Sequence, residues 1–224
     1  PIWIKFRLLP KHSPRLALAG LLCAGLPYQF LVLSGLHFAP ATIAGPLLTG
    51  TLPLFVAILS VVIFREHLTT TRIAGTLLIS SGVIVIMGHE LFTSQAGAWR
   101  GGLLLLLASL SWSLYTISFK KSGLTGFQAT AFVALCSTLA LVSFSGFHIV
   151  NSWHQTNGKD ILTQIFVQGV MAGIVALITF TVAIKYIGHT YTTVITALTP
   201  VIVNIISAGV LGEISQTSTI IGCL

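Results

Sequence analysis

The sequence predicts an all-α membrane protein, a polytopic bundle of about seven helices with a partial eighth, and three observations predict it. Composition is the first: 54% of the 224 residues are hydrophobic, 7% are charged, and mean hydropathy is +0.97. A soluble domain carries about 25% charged residues, so this chain could not cover a water-facing surface. The second is a series of apolar stretches, each close to the roughly 20 residues that cross a bilayer. They fall at 16–37, 41–63, 70–88, 101–119, 127–148, 163–184 and 191–211, with another starting near Thr217. The third is an internal repeat. Residues 36–77 align without a gap on 183–224, 147 positions later, with ten identities.

The repeat is organised around a proline-broken helix, a polar hinge and the start of another helix. Pro53 answers Pro200, Glu66 answers Glu213, and Gly75 answers Gly222; Thr49 and Thr196 are also paired. Ile and Val matches are cheap in such a composition. The Pro, Glu and Gly matches in one register are not. Five helices separate the copies, an odd number, so the second copy must be inverted relative to the first.

Charge placement agrees with that inversion. Threading the chain through a bilayer puts Lys5, Arg7, Lys11, Arg15, Arg65, Arg72, Lys120, Lys121 and Lys185 on one side, and Arg100 and Lys159 on the other. Basic loops stay in the cytoplasm, so the first side is cytoplasmic. The net charge of +7 is then a topology signal, not a nucleic-acid surface. Cys23, Cys136 and Cys223 lie within or beside apolar spans, odd in number and without metal-site spacing, and read as small packing residues.

In chain order, Lys5–Arg15 is a basic loop broken by Pro10 and Pro14. The first span carries Gly20, Gly25, and then Tyr28 and Gln29 near mid-depth. The second holds Pro46, Gly50 and Pro53; three breakers in one span require neighbours or cavity water to satisfy the freed carbonyls. Gly75 and Gly82 in the third would permit close packing. Residues 89–100 form the first long polar interruption and divide a first unit, 1–88, from a second, 101–224. The fourth span places Trp112 and Tyr115 just past its middle. Asn151–Asp160 is the longest polar loop. The sixth holds Gly169 and Gly173, read either as a homodimer contact or as packing within the bundle. Lys185 and His189 read as a snorkelling or solvated end. The seventh is rich in threonine, with Thr192, Thr196 and Thr199 on one face, then Pro200 and Asn204.

A mid-span Pro, an acidic residue thirteen positions on and a Gly nine beyond that resembles the drug/metabolite transporter superfamily, EamA-like branch. Here the pattern reads TLPLFVAILSVVIFREHLTTTRIAGTLLISSGVIVI and TPVIVNIISAGVLGEISQTSTIIGCL. The hinge Gly-Glu of that family is kept as Gly212-Glu213 and replaced by Arg65-Glu66 in the first copy. The resemblance implies ten helices as two inverted five-helix repeats, of which the chain holds the third to the ninth and a truncated last. It also implies a secondary carrier of small organic solutes such as amino acids, metabolites or drugs. Such a protein works in a plasma membrane, here a bacterial inner membrane, without a cofactor, with proton or counter-solute coupling as one option. A chain opening on Pro1 and stopping at Leu224 is expected to be a fragment without transport of its own.

Glu66 and Glu213 are either proton-coupling carboxylates or anions favoured beside the next helix N-terminus. Their place at span ends favours the structural role. Pro53 and Pro200 are hinges or tolerated kinks. The threonine face of the seventh span is a polar lining or a set of hydroxyls bonded back to their own helix. The expected site is a mid-depth cavity on the pseudo-two-fold axis, built by spans one, two, four, six and seven. Its candidate wall is Gln29, Thr49, Trp112, Tyr115, Thr196, Thr199 and Asn204. Almost no charge exists at that depth, so the solute should be small and neutral, zwitterionic or amphipathic. A non-transporting membrane subunit and an intramembrane enzyme are the alternatives. For the enzyme, His89-Glu90 lacks a second histidine and Ser145-Gly146 an upstream glycine. No ring of acids marks a channel.

Overall fold

The computed structural model describes residues 19–39, 44–64, 69–93, 98–153, 157–199 and 201–202. Every regular element among them is helical, and five stretches are long and apolar enough to cross a membrane. We number the helices in chain order. α1 is Ala19–Phe38, α2 joins Pro46–Gly50 to Leu52–Phe64, α3 is Thr70–Thr93, α4 is Ala98–Ser122 and α5 is Gly126–Trp153. α6 runs from Gly158 through the wide-turned segment Ile165–Ala176 to residue 187, and α7 covers 189–196.

A single residue separates α6 from α7. Gly188 has φ 85° and ψ 160°, a conformation that side-chain-bearing residues avoid. The chain therefore reverses without a loop. Elsewhere the polar interruptions are shorter than the sequence suggests. α3 continues to Thr93 and α4 begins at Ala98, so most of 89–100 is helical; α5 reaches Trp153 and α6 starts at Gly158. The start of α5 is set by a reciprocal capping box: Thr125 N–H donates to Gln128 Oε1 at 3.0 Å and Gln128 N–H to Thr125 Oγ1 at 3.3 Å. Asn157 starts α6 by accepting Lys159 N–H on Oδ1 at 3.2 Å.

α4 is the central helix. Its span is 56% buried, against 11–39% for the other four. α1 and α2 both pack along it, and its sequence LASLSWSLYTIS explains how two proline-broken helices survive there. Pro27 in α1 has no N–H for the carbonyl of Cys23, and Ser111 Oγ donates to that carbonyl at 2.7 Å. Pro53 in α2 has none for the turn before it, and Ser109 Oγ donates to Leu48 O at 2.9 Å. Thr51 Oγ1 in turn donates to Ser109 Oγ at 2.8 Å. The neighbour-supplied partners that a broken membrane helix requires thus come from two serines of one helix.

Small residues let the axes approach. A Cβ on Gly101 would lie 2.7 Å from both the Ala39 backbone nitrogen and the Gly35 carbonyl oxygen, so α1 and α4 are in backbone contact there. Gly75 and Gly169 do not act this way: nothing lies within 4 Å of a Cβ on either. Among the described residues Gly75 therefore meets no close neighbour, and it lies on an exposed face of α3. The core proper gathers Leu21, Tyr115, Phe119, Val133, Leu177 and Ile184, from α1, α4, α5 and α6. Outward faces are apolar as a lipid-facing surface must be: Leu139, Val142 and Phe144 of α5, and Leu162, Ile165, Phe166 and Val167 of α6, are exposed.

Candidate functional site

Five helices converge on a cleft of ≈ 220 Å³. α1 contributes Tyr28. α2 contributes Leu48 and Thr49 from its wide segment and Leu52 from the turn that follows. α4 contributes Trp112. α6 adds Ala172, Ala176, Leu177 and Phe180, and α7 adds Thr196. The volume lies below the roughly 300–1,000 Å³ usual for drug-sized ligands, so the cleft suits a small solute.

Trp112 is the hub of its aromatic wall. Its ring centroid lies 4.9 Å from that of Tyr28, 5.6 Å from Phe180 and 5.6 Å from Tyr115, at interplanar angles of 55°, 61° and 55°. Tilted and edge-on pairs of this kind are favoured by the ring quadrupoles. They form an angular box, whereas parallel rings would close into a stack. Tyr115 sits behind the box, fully buried, and stacks on Phe119 at 6.3 Å. Among the described residues its Oη has no hydrogen-bond partner.

Of the seven residues proposed from sequence, Thr49, Trp112 and Thr196 line this cleft, and Tyr115 touches it through Trp112. Gln29 is exposed and does not line it. Neighbouring residues on a helix point about 100° apart, and in α1 the inward direction belongs to Tyr28. Thr199 is exposed. Asn204, with Glu66, Pro200, Glu213 and Gly222, lies outside the described residues. Pro53 is buried in α2, one residue beyond the cleft wall at Leu52.

The threonines resolve into two uses. Thr192 and Thr193 are buried and donate to the carbonyls of Gly188 and Thr190, at 2.8 and 2.9 Å. Thr196 does both things at once, lining the cleft while donating to Thr192 O at 2.8 Å. The residues that sequence reasoning missed are chiefly Phe180 and the small Ala172 and Ala176. They carry no polarity that would distinguish them from lipid-facing neighbours, so depth and chemistry alone could not pick them out. His189 also departs from expectation. It is 4% exposed, not solvated, and its Nε2 lies 2.9 Å from Ser60 Oγ. Lys185 is exposed, as expected.

The cleft is thus walled by the broken α2 together with α4, α6 and α7. The sequence pattern of the EamA-like transporter family matches residues 2–88 and 99–224, almost the whole chain. The chain belongs to the EamA-like transporter family. Curated relatives carry transporter names as well. The chain is 24% identical over 148 residues to the "Uncharacterized transporter YcxC" of Bacillus subtilis (strain 168), covering 66% of this chain and 46% of that protein. It is 34% identical over 97 residues to the "Uncharacterized transporter in sor 3'region" of Acidianus ambivalens, covering 43% of this chain and 36% of that protein. The matched part thus spans less than half the length of either relative. As a member of this family the chain is a multi-pass integral membrane protein.

Proposed function

We propose that this chain forms the solute pathway of a secondary carrier for small organic molecules, working by alternating access. One observation carries the reading. The cleft is walled jointly by Tyr28, Thr49 and Leu52 from the first sequence unit and by Trp112, Phe180 and Thr196 from the second. A site between two units can be exposed to either side by moving one unit against the other, without moving the solute. The change from wide to ordinary helical turns before Pro53 in α2, and the non-helical Gly188 before α7, supply places where the helices can bend.

The wall is largely apolar, and no Asp, Glu, Lys or Arg is among its described lining residues. Solute is then held by aromatic contact and a few hydrogen bonds rather than by ion pairs. Flux of candidate solutes into proteoliposomes carrying the full-length protein tests the proposal. Trp112→Ala removes the hub of the box and should weaken solute affinity by about tenfold, the worth of one or two aromatic contacts. Asn204→Ala should weaken it as well, while membrane insertion of both variants stays normal. Unchanged affinity in both would place the solute elsewhere.

A further inference from the structure

Thr49 and Thr196 are equivalent positions of the internal repeat, and both line the cleft. Their local geometry is the same. Thr49 Oγ1 donates its hydrogen to Gly45 O at 2.9 Å, and Thr196 Oγ1 donates to Thr192 O at 2.8 Å, each bonding four residues back. A hydroxyl has one hydrogen and two lone pairs. With the hydrogen committed to the helix, each oxygen offers the cleft lone pairs alone. The repeat therefore sets a matched pair of acceptors, one on α2 and one on α7.

The aromatic box has the same electrical character. The faces of Tyr28, Trp112 and Phe180 carry the negative side of the ring quadrupole, and all three rings line the cleft at mutual tilts of 55° and 61°. Acceptor oxygens and π faces both attract positive charge and N–H hydrogens. A carboxylate would meet neither a cation nor a backbone nest among these residues, and the indole and phenol hydrogens are its sole side-chain donors there.

We infer that the cleft selects a compact primary ammonium with an apolar body, its N–H groups shared between Thr49 and Thr196 and its body held by Tyr28, Trp112 and Phe180. The inference rests on the cleft being the solute site. The absence of a paired carboxylate among the described lining residues keeps the attraction moderate, which suits a carrier that must also release its solute.

Isothermal titration calorimetry of the full-length protein in lipid nanodiscs, with empty nanodiscs as the blank, tests it. Benzylammonium, benzyl alcohol and benzoate share one ring and differ in charge. Benzylammonium should bind about tenfold more tightly than benzoate, with the alcohol between them. Thr49→Val and Thr196→Val should each reduce benzylammonium affinity several-fold, about the effect of losing one charge-assisted hydrogen bond, and Thr→Ser should restore it. Equal binding of all three, abolished together by Trp112→Ala, overturns the selectivity and leaves the solute site standing. Binding of none of the three overturns the site and the inference together. Because the ranking is measured on the unsubstituted protein, a variant that fails to fold does not protect the inference.

Discussion

Ser60 near the end of α2 and His189 at the start of α7 meet inside the bundle, Oγ to Nε2, at 2.9 Å. Both are buried, and 129 residues of chain separate them. The contact closes the end of the bundle at which α6 turns into α7, beyond the cleft and on the side where α4 reaches Lys120 and Lys121. It joins the first sequence unit to the second through a polar pair, as the Ser109 and Ser111 contacts do elsewhere. A double-mutant cycle with Ser60→Ala and His189→Ala should return a coupling of about 0.6–1.7 kcal/mol, the range of hydrogen bonds between membrane helices. Reversible unfolding in mixed micelles measures it; additive losses would show that the pair does not interact.

The glycines divide into those that admit a neighbour and those that do not. Gly101→Ala forces a methyl group onto the backbone of Ala39 and Gly35 and should cost about 1–3 kcal/mol of stability. Gly169→Ala meets open space and should be neutral or stabilise by up to about 1 kcal/mol through helix propensity. Thermal denaturation of the two variants side by side checks the contrast, and similar Tm shifts would contradict it.

Ser109→Ala and Ser111→Ala each strip a proline-freed carbonyl of its partner, Leu48 O and Cys23 O respectively. Each should lower stability by about 1–3 kcal/mol, the cost of a buried unsatisfied group. Ser113, which donates to Ser109 O within its own helix at 2.8 Å, should be far more tolerant of alanine. Equal effects at all three positions would argue that the prolines need no outside help.

Orientation is open to chemical labelling. In an otherwise cysteine-free full-length protein, a cysteine beside Glu66 should react with an impermeant reagent from the cytoplasmic side alone. One beside Glu213 should react from the outside alone. Labelling of both from one side would end the argument for inversion.

What the sequence made legible, and what it did not, follows from helical phase. Depth and polarity were enough to select Thr49, Trp112 and Thr196, since a polar group at mid-span needs a destination other than lipid. Which of two adjacent residues faces inward was not legible in α1. Its apolar character is spread all round the helix, so the amide of Gln29 looked as good as the ring of Tyr28, and the structure gives the place to the ring. His189 was misread for a different reason. A basic residue beside Lys185 implies a loop, but the reversal at Gly188 takes one residue and leaves no loop to solvate it. The shared register of Ser109 and Ser111 with two prolines more than 50 positions earlier depends on how α4 is docked, which no local pattern encodes.

Those two serines also act as an index mark. Sliding α2 along α4 by one residue would shift it about 1.5 Å, and Ser109 would no longer reach the Leu48 carbonyl. In hydrocarbon no water would replace it. The same holds for α1 and Ser111. α1, α2 and α4 are thereby locked in phase as a three-helix plate, although α4 belongs by sequence to the other unit. Any movement that opens the cleft must therefore carry α4 together with α1 and α2, whatever unit α4 belongs to by sequence.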